Sequence, residues 1–207
     1  MKKGFYVAMF ILLASTVAFG QLGIGISKGI KGGLNFATVG GSDASTGTTS
    51  NTGVAIGVFA EISLPGPISI QPEVLYSVKG YKLDVPGISS TTGTYSYIDI
   101  PVLVKFYLLP LPVFKPFFFA GPSFGLLMSA KEKKDNTFLS TSSEADVKDI
   151  TTGTDIGLVI GVGAKLSLLV IDLTVDARYN MGLSTLDKSG ITKVYNRVVA
   201  VYVGVAF

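Results

Sequence analysis

The chain has 207 residues, of which 48% are hydrophobic and only 15% are charged, and its net charge is +3. Cysteine and histidine are both absent, which excludes disulfides, thiolate metal sites and a histidine general base. The basic residues are scattered along the chain, so the positive charge does not indicate a nucleic-acid partner.

The chain begins with the pattern of a secretory signal peptide. Lys2 and Lys3 precede an apolar run over residues 5–13, and small residues follow up to Gly20. The apolar run is shorter than the roughly 20 residues of a membrane-spanning helix, so cleavage near Gly20 is predicted rather than anchoring. The predicted domains are a signal peptide, 1–20, and one mature domain, 21–207.

Eight later segments alternate apolar and polar residues with the period of two that is typical of β-strands. They lie at about 29–36, 54–63, 68–79, 97–108, 114–130, 155–167, 171–181 and 195–207. The fifth segment is the least regular, since three phenylalanines follow one another from Phe117. Because Pro122 has no N–H to donate, a bulge or kink is predicted there.

The connections between these segments alternate between long and short. Polar loops are predicted at about 39–52, 84–93, 131–152 and 184–194, and short turns at 64–67, 109–112 and 168–169. All the long loops then fall at one end of an antiparallel sheet. This arrangement is typical of outer-membrane barrels, which have short periplasmic turns and long external loops.

The polar face of the strands contains charged residues at mid-strand positions, and positive and negative charges are balanced. If this face lines a narrow barrel, unpaired charges would be costly, so ion pairs are expected. A soluble β-sandwich, the alternative for these strands, would require no balance. The predicted polar network of the barrel interior comprises Lys31, Glu61, Glu73, Lys79, Asp99, Lys105, Lys165, Asp172, Asp176 and Arg178.

The final segment resembles the C-terminal assembly signal of bacterial outer-membrane barrels. Its apolar residues occupy every second position up to a terminal phenylalanine: Val199, Val201, Val203, Val205 and Phe207. The first strand, around 31–36, is its predicted closing partner. Arg197 falls on the same outward face, where it is tolerated near the outer rim of the membrane but not at its midplane.

The whole mature chain resembles the PorT family of outer-membrane barrels, which is abundant in Bacteroidetes. The motifs that carry the resemblance are KGGLNF at 31–36, YIDIP at 97–101 with Lys105, KPF at 115–117, AGPSFG at 120–125, and DARY at 176–179 with Gly182 and Leu183. The resemblance implies an eight-stranded barrel similar to OmpX or OmpA. It also implies an association with protein secretion across the outer membrane, and it supplies no catalytic residues.

No catalytic, cofactor or metal site is predicted. Asp172 and Asp176 share a strand face about 13 Å apart, which is too far for a coupled carboxylate pair. The glycines from Gly157 to Gly163 lack the spacing of a phosphate-binding loop and fit a crowded interior instead. The charged run from Lys131 to Asp135 is read as a solvated loop, with lipopolysaccharide binding as the alternative.

The sequence therefore predicts an all-β, eight-stranded antiparallel up-and-down transmembrane β-barrel, preceded by a cleaved signal peptide, in the bacterial outer membrane. The favoured role is structural or interactive, through external loops around a packed polar interior. An accessory role in transport or secretion, or a narrow pore, is the alternative. The expected partners are outer-membrane lipid and lipopolysaccharide, the barrel-assembly machinery, and a secretion or surface protein of unknown identity; no nucleic acid is expected.

Overall fold

The computed structural model describes residues 25–45, 47–85, 87–109, 111–136 and 141–207. The predicted signal peptide, 1–20, lies outside these residues. The described chain forms nine strands and a 3-10 turn at Lys148–Ile150. The strands are β1 (Gly25–Gly40), β2 (Thr48–Ser63), β3 (Ile68–Val85), β4 (Ser89–Tyr107), β5 (Phe114–Asn136), β6 (Thr141–Asp146), β7 (Thr154–Ser167), β8 (Asp172–Gly182) and β9 (Tyr195–Ala206).

Eight of these strands close into an antiparallel barrel. The sheet runs from β4 back through β3, β2 and β1 to β9, β8, β7 and β5, and β4 also pairs with β5. The closing pair is β1 with β9, in which Lys31 lies opposite Gly204 and Phe36 opposite Val199. The predicted eight-stranded up-and-down barrel and its closing strands are therefore confirmed. Closure leaves none of the eight strands with an unpaired edge along the barrel wall.

The two ends of the barrel differ. We call the end with the β2–β3, β4–β5 and β7–β8 connections, and with both described termini, the turn end. We call the opposite end, with the β1–β2, β3–β4 and β8–β9 connections and strand β6, the loop end. β6 pairs only with the last residues of β5, from Lys131 opposite Asp146 to Asn136 opposite Thr141.

The predicted loop over 131–152 is wrong over 131–136, which belong to β5, and over 141–146, which form β6. The segment from Lys131 to Asp135 belongs to β5, where it pairs with β4 as well as with β6. Membrane-embedded strands need an apolar face, which these polar residues lack, so the sequence alone favours a loop here. Beyond the membrane that requirement ends, and a hairpin can continue with both faces polar as long as its backbone groups are paired.

Two other predicted loops are shorter than expected for the same reason. β1 continues to Gly40 and β2 starts at Thr48, so the predicted loop over 39–52 is reduced to 41–47. The predicted loop over 84–93 is reduced to the connection at 86–88, because Ser89–Thr94 pair with both β3 and β5. The expected alternation of long and short connections therefore does not hold at this connection.

The predicted bulge at Pro122 is also wrong. The β5–β7 register is unbroken from Phe114 opposite Leu166 to Leu126 opposite Thr154. Side chains alternate strictly between buried and exposed from Phe117 to Met128, through the three phenylalanines. The register of β5 shifts instead near Met128, where Leu127 pairs with Tyr97 and Ser129 with Ser96. On the β4 side the ladder skips Pro122 without a shift of register, since Pro101 lies opposite Ser123 and Val104 opposite Ala120.

The outward face of the barrel is an apolar belt. The belt runs from Ile98 to Phe106 on β4 and on to Leu108 just beyond it, and corresponding residues on the other strands are exposed, among them Ile30, Ile56, Val74, Phe118, Ile160, Val175 and Val203. Ten residues at about 3.4 Å each, tilted by about 40°, cover roughly 25 Å. This is the height of the hydrocarbon band that an outer-membrane barrel crosses.

Candidate functional site

The inward face of the barrel holds buried charges in three groups. The central cluster consists of Lys31, Glu73, Asp176 and Arg178; the turn-end cluster of Glu61, Lys105, Lys165 and Tyr107; and the loop-end cluster of Lys79, Asp99, Asp155 and Asn196. All the charged members are at most 6% exposed. They come from six different strands, so only barrel closure brings them together.

The central cluster is a closed ring of charge-assisted hydrogen bonds. Lys31 Nζ donates to Glu73 Oε1 and to Asp176 Oδ2, both at 2.9 Å. Arg178 donates through Nη1 to Glu73 Oε2 at 2.9 Å and through Nε to Asp176 Oδ1 at 2.8 Å. Gln71 Nε2 adds a further bond to Glu73 Oε1 at 2.6 Å. Two cations therefore face two anions, and each partner is held from two directions.

The turn-end cluster is built around one carboxylate. Glu61 accepts hydrogen bonds from Lys165 Nζ at 2.8 Å, Lys105 Nζ at 3.2 Å and the Tyr107 hydroxyl at 2.6 Å. Two lysines share a single glutamate here. The predicted network member Asp172 lies 3.8 Å from Lys165, and its side chain is 28% exposed. Asp172 is therefore at the rim of the network rather than inside it, because it is the first residue of β8.

The loop-end cluster has more anions than cations, the reverse of the turn-end cluster. Lys79 Nζ donates to Asp99 Oδ1 at 3.0 Å and to Asp155 Oδ2 at 3.1 Å. Asn196 Nδ2 also donates to Asp155 Oδ2, at 2.8 Å. One lysine thus neutralises two aspartates, which reverses the ratio at the turn end.

Asp155 was not among the predicted network residues, although it holds two of these bonds. It is the second residue of β7, near the end of the strand. With Asp155 in the place of Asp172, five buried cations match five buried anions. The signal that could have found it is the parity of β7, in which Asp155 and Lys165 lie on the same face.

Aromatic rings fill the space between the charged clusters. Arg178 lies 4.5 Å from the ring centre of Tyr202 and 5.2 Å from that of Phe119. Lys105 lies 4.3 Å from the ring centre of Phe117, and Lys79 lies 4.7 Å from that of Tyr97. Each contact places a cation over an electron-rich ring and excludes water from the adjacent ion pairs.

Glycines on β7 make room for these rings. A Cβ atom at Gly161 would collide with the Phe119 ring, and one at Gly163 would collide with the Phe117 ring. The glycines therefore serve packing, in agreement with the crowded interior expected for eight strands. An internal cavity of about 10 Å³ is found between Lys79, Arg178 and Tyr202, which is room for about one water molecule.

The sequence matches the family described as outer membrane protein beta-barrel domain over residues 19–188. The chain belongs to this family. Membership places the protein in the bacterial outer membrane and agrees with the closed barrel, its apolar belt and its charged interior. A search of curated proteins finds no match.

Several solved outer-membrane barrels are similar to this chain. Neisserial surface protein A is 17% identical, with a TM-score of 0.49, and the match covers 88% of this chain and 97% of that one. The attachment invasion locus protein Ail of Yersinia pestis is 12% identical, with a TM-score of 0.41 and coverages of 87% and 96%. OprG of Pseudomonas aeruginosa is 10% identical, with a TM-score of 0.43 and coverages of 87% and 94%. The family assignment rests on the sequence match and the barrel closure.

Among the described residues, no helix is both long and apolar enough to cross a membrane. The same residues contain no cluster of three or more acidic side chains placed to hold a metal ion.

The terminal strand of the barrel keeps its predicted apolar residues on the outward face. Val199, Val201, Val203 and Phe207 are exposed, and Val205 is half-buried. Arg197 also lies on this side, at the loop end, where Nη1 donates to the carbonyl oxygens of Gly182 at 2.6 Å and Asn196 at 3.0 Å. The guanidinium group is therefore held at the rim of the belt by backbone oxygens.

The β8–β9 loop at the loop end is ordered by one aspartate. Asp187 accepts hydrogen bonds from the Ser189 hydroxyl at 2.6 Å, the Thr192 amide at 2.9 Å and the Ser189 amide at 3.0 Å. These donors, the Ser189 hydroxyl first, hold the pKa of the Asp187 carboxyl well below its usual range. A carboxylate with a lowered pKa stabilises the fold above its ordinary pKa of about 4, so this loop keeps its support at neutral pH.

Proposed function

We propose that the chain is a non-enzymatic outer-membrane barrel whose plugged interior makes it a rigid support for an interaction surface at the loop end. The observation that carries the proposal is the β5–β6 hairpin. β6 is exposed at all six residues, and among the strands that the structure describes it pairs with β5 alone. An exposed strand edge at the external end offers backbone donors and acceptors to an extended segment of another protein.

The charges on the outward face of this hairpin favour a protein partner over a purely anionic surface. Lys131 pairs with Glu144 at 2.7 Å, and Lys133 pairs with Asp135 at 3.1 Å. Because each of these lysines is already paired with a carboxylate, the outward face of the hairpin carries both positive and negative charges. Lipopolysaccharide is proposed as the surrounding lipid and the barrel-assembly machinery as the partner during insertion, while the hairpin selects a surface protein.

We expect a photo-crosslinking residue at Ser143, in the middle of β6, to capture a specific partner in intact cells. The matched control is the same residue at Val162, which lies in the apolar belt and should reach only lipid and neighbouring barrels. Replacing residues 133–144 by an Asn-Gly turn joins Glu132 to Ala145, which are paired across the hairpin. This shortened barrel should fold and lose the partner; an unchanged set of co-purifying proteins would contradict the proposal.

The resemblance of these motifs to the PorT family supports a second candidate, an accessory role in protein secretion. Under this candidate, the barrel with the shortened hairpin should keep its partner, because an export machine would contact the barrel wall or the turn end. The interaction-surface proposal predicts that the partner is lost. Recovery of the same export components with the full-length and the shortened barrel would favour this candidate.

A narrow pore is the third role, and the packed interior argues against it. We expect planar bilayers containing the purified barrel to show no stable, large open-channel currents, since an interior cavity of about 10 Å³ leaves no continuous aqueous path. A porin measured in parallel provides the positive control. Stable currents from the folded barrel would overturn the plugged interior.

A further inference from the structure

A cavity at the turn end combines an apolar wall with lysines. It has a volume of about 580 Å³ and lies between the β2–β3 turn and the end of β4. Phe106, Leu108 and Leu109 line it from the membrane side, while Glu61, Lys115 and Lys165 line it from the barrel interior. The cavity therefore crosses the rim and joins the lipid-facing surface to the turn-end cluster.

The charge inside this cavity is not balanced. Lys115 lies directly opposite Lys165 in the β5–β7 ladder. Lys165 already shares Glu61 with Lys105 and lies 3.8 Å from Asp172, whereas Lys115 has no ion pair or hydrogen bond from its side chain to any residue that the structure describes. Like charges on opposed positions of neighbouring strands repel each other, so an anion between the two lysines would be stabilising.

The turns at this end of the barrel are apolar beyond what the membrane core requires. The sequence at 64–67, 108–113 and 168–171 contains no charged residue. Leu109, Leu169 and Val170 are exposed there, with Leu169 and Val170 almost completely so. Because the belt on β4 already covers about 25 Å as far as Leu108, these residues extend the apolar surface into the layer of the lipid head groups.

We propose that the turn end binds an anionic phospholipid of the inner leaflet, with its phosphate between Lys115 and Lys165. Its acyl chains would lie along Phe106 and Leu108, continuous with the lipid that already covers the belt. Lysine recognises phosphate as a compact charge, and the apolar wall orients the chains. This position explains both the unpaired lysine and the apolar turns, and it is independent of the interaction surface at the opposite end.

Retention of phosphatidylglycerol or phosphatidylcholine by the purified full-length barrel, measured by native mass spectrometry, tests the proposal. The wild type should retain phosphatidylglycerol at least fivefold better than phosphatidylcholine. Lys115→Gln should reduce this ratio to near one, and Lys115→Arg should restore it. Lys28→Gln is the matched control, because Lys28 lies at the same end on the outward face of β1, outside the cavity. Equal retention of the two lipids by the wild type, or an equal loss in Lys28→Gln, would overturn the site.

A second measurement requires no substitution. Phosphatidylglycerol with a photoreactive group near the head-group end of its acyl chain should cross-link the wild-type barrel mainly within residues 106–115. Cross-links spread evenly over all eight barrel strands would show that the lipid forms only a general annulus, and the proposed site would be abandoned.

Discussion

Glu73→Gln is expected to lower the free energy of unfolding by about 3–5 kcal/mol, the cost of removing one partner from a buried ion pair. Glu73 is 1% exposed and accepts hydrogen bonds from Lys31, Arg178 and Gln71. Glutamine preserves the shape of the side chain but removes its charge. Asp176 would then face two buried cations alone, and the amide would turn one donor group toward Lys31 or Arg178.

The matched control is Glu144→Gln at the loop end. Glu144 also forms a short ion pair, at 2.7 Å from Lys131, but both side chains are more than half exposed. A surface pair of this kind contributes up to about 1 kcal/mol. Urea unfolding of both variants in phospholipid vesicles, followed by far-ultraviolet circular dichroism, makes the comparison. Equal effects of the two substitutions would show that the interior charges are solvated, in conflict with the packed barrel.

Deletion of Phe207 is expected to reduce the amount of folded barrel in the outer membrane several-fold. Phe207 completes the closing pair: its amide donates to the Lys28 carbonyl at 2.8 Å, and the Lys28 amide donates to the Phe207 carbonyl at 3.1 Å. The deletion therefore removes the last hydrogen bonds of the β1–β9 seam and the terminal aromatic residue of the proposed assembly signal. Heat-modifiable mobility on gels of outer-membrane fractions measures the folded barrel.

Arg197→Ala serves as the control on the same strand. Arg197 lies at the opposite end of β9 and bonds only backbone carbonyls at the rim, so its loss should have a mild effect on yield. Refolding of both purified variants in detergent separates assembly from stability. If assembly is the affected step, the Phe207 deletion should refold normally in detergent while failing in cells. A normal yield of the deletion variant in cells would refute the assembly role.

The strands of the barrel were predictable because a membrane imposes a simple rule on each of them. Every outward residue of a membrane-spanning strand meets hydrocarbon, so apolar residues recur at every second position whatever the neighbouring strand contains. Ile30, Val54, Ile156 and Val199 all follow this rule. The closing of β1 on β9 also follows, since an unpaired strand edge cannot remain in lipid.

Beyond the membrane the rule no longer applies, and the predictions failed there. Residues 131–136 and 89–94 are polar on both faces, so their sequence is compatible with either a loop or a strand. Both segments form strands because they pair with neighbouring strands, among them β3, β4 and β6. The register of β5 shifts near Met128, between the apolar belt and the external hairpin, rather than at Pro122.

The sequence by itself determined the class of the protein, the two faces of each strand and the balance of charge inside, because these depend on the solvent that each residue meets. Only the tertiary structure decided which charges pair, since ion pairs such as Lys31 with Asp176 join residues 145 positions apart in the chain. The same holds for Asp155 in place of Asp172 and for the unpaired Lys115. Their partners depend on the register of the closed barrel. The register sets the height of each side chain relative to those on the other strands, and the sequence of one strand does not contain this information.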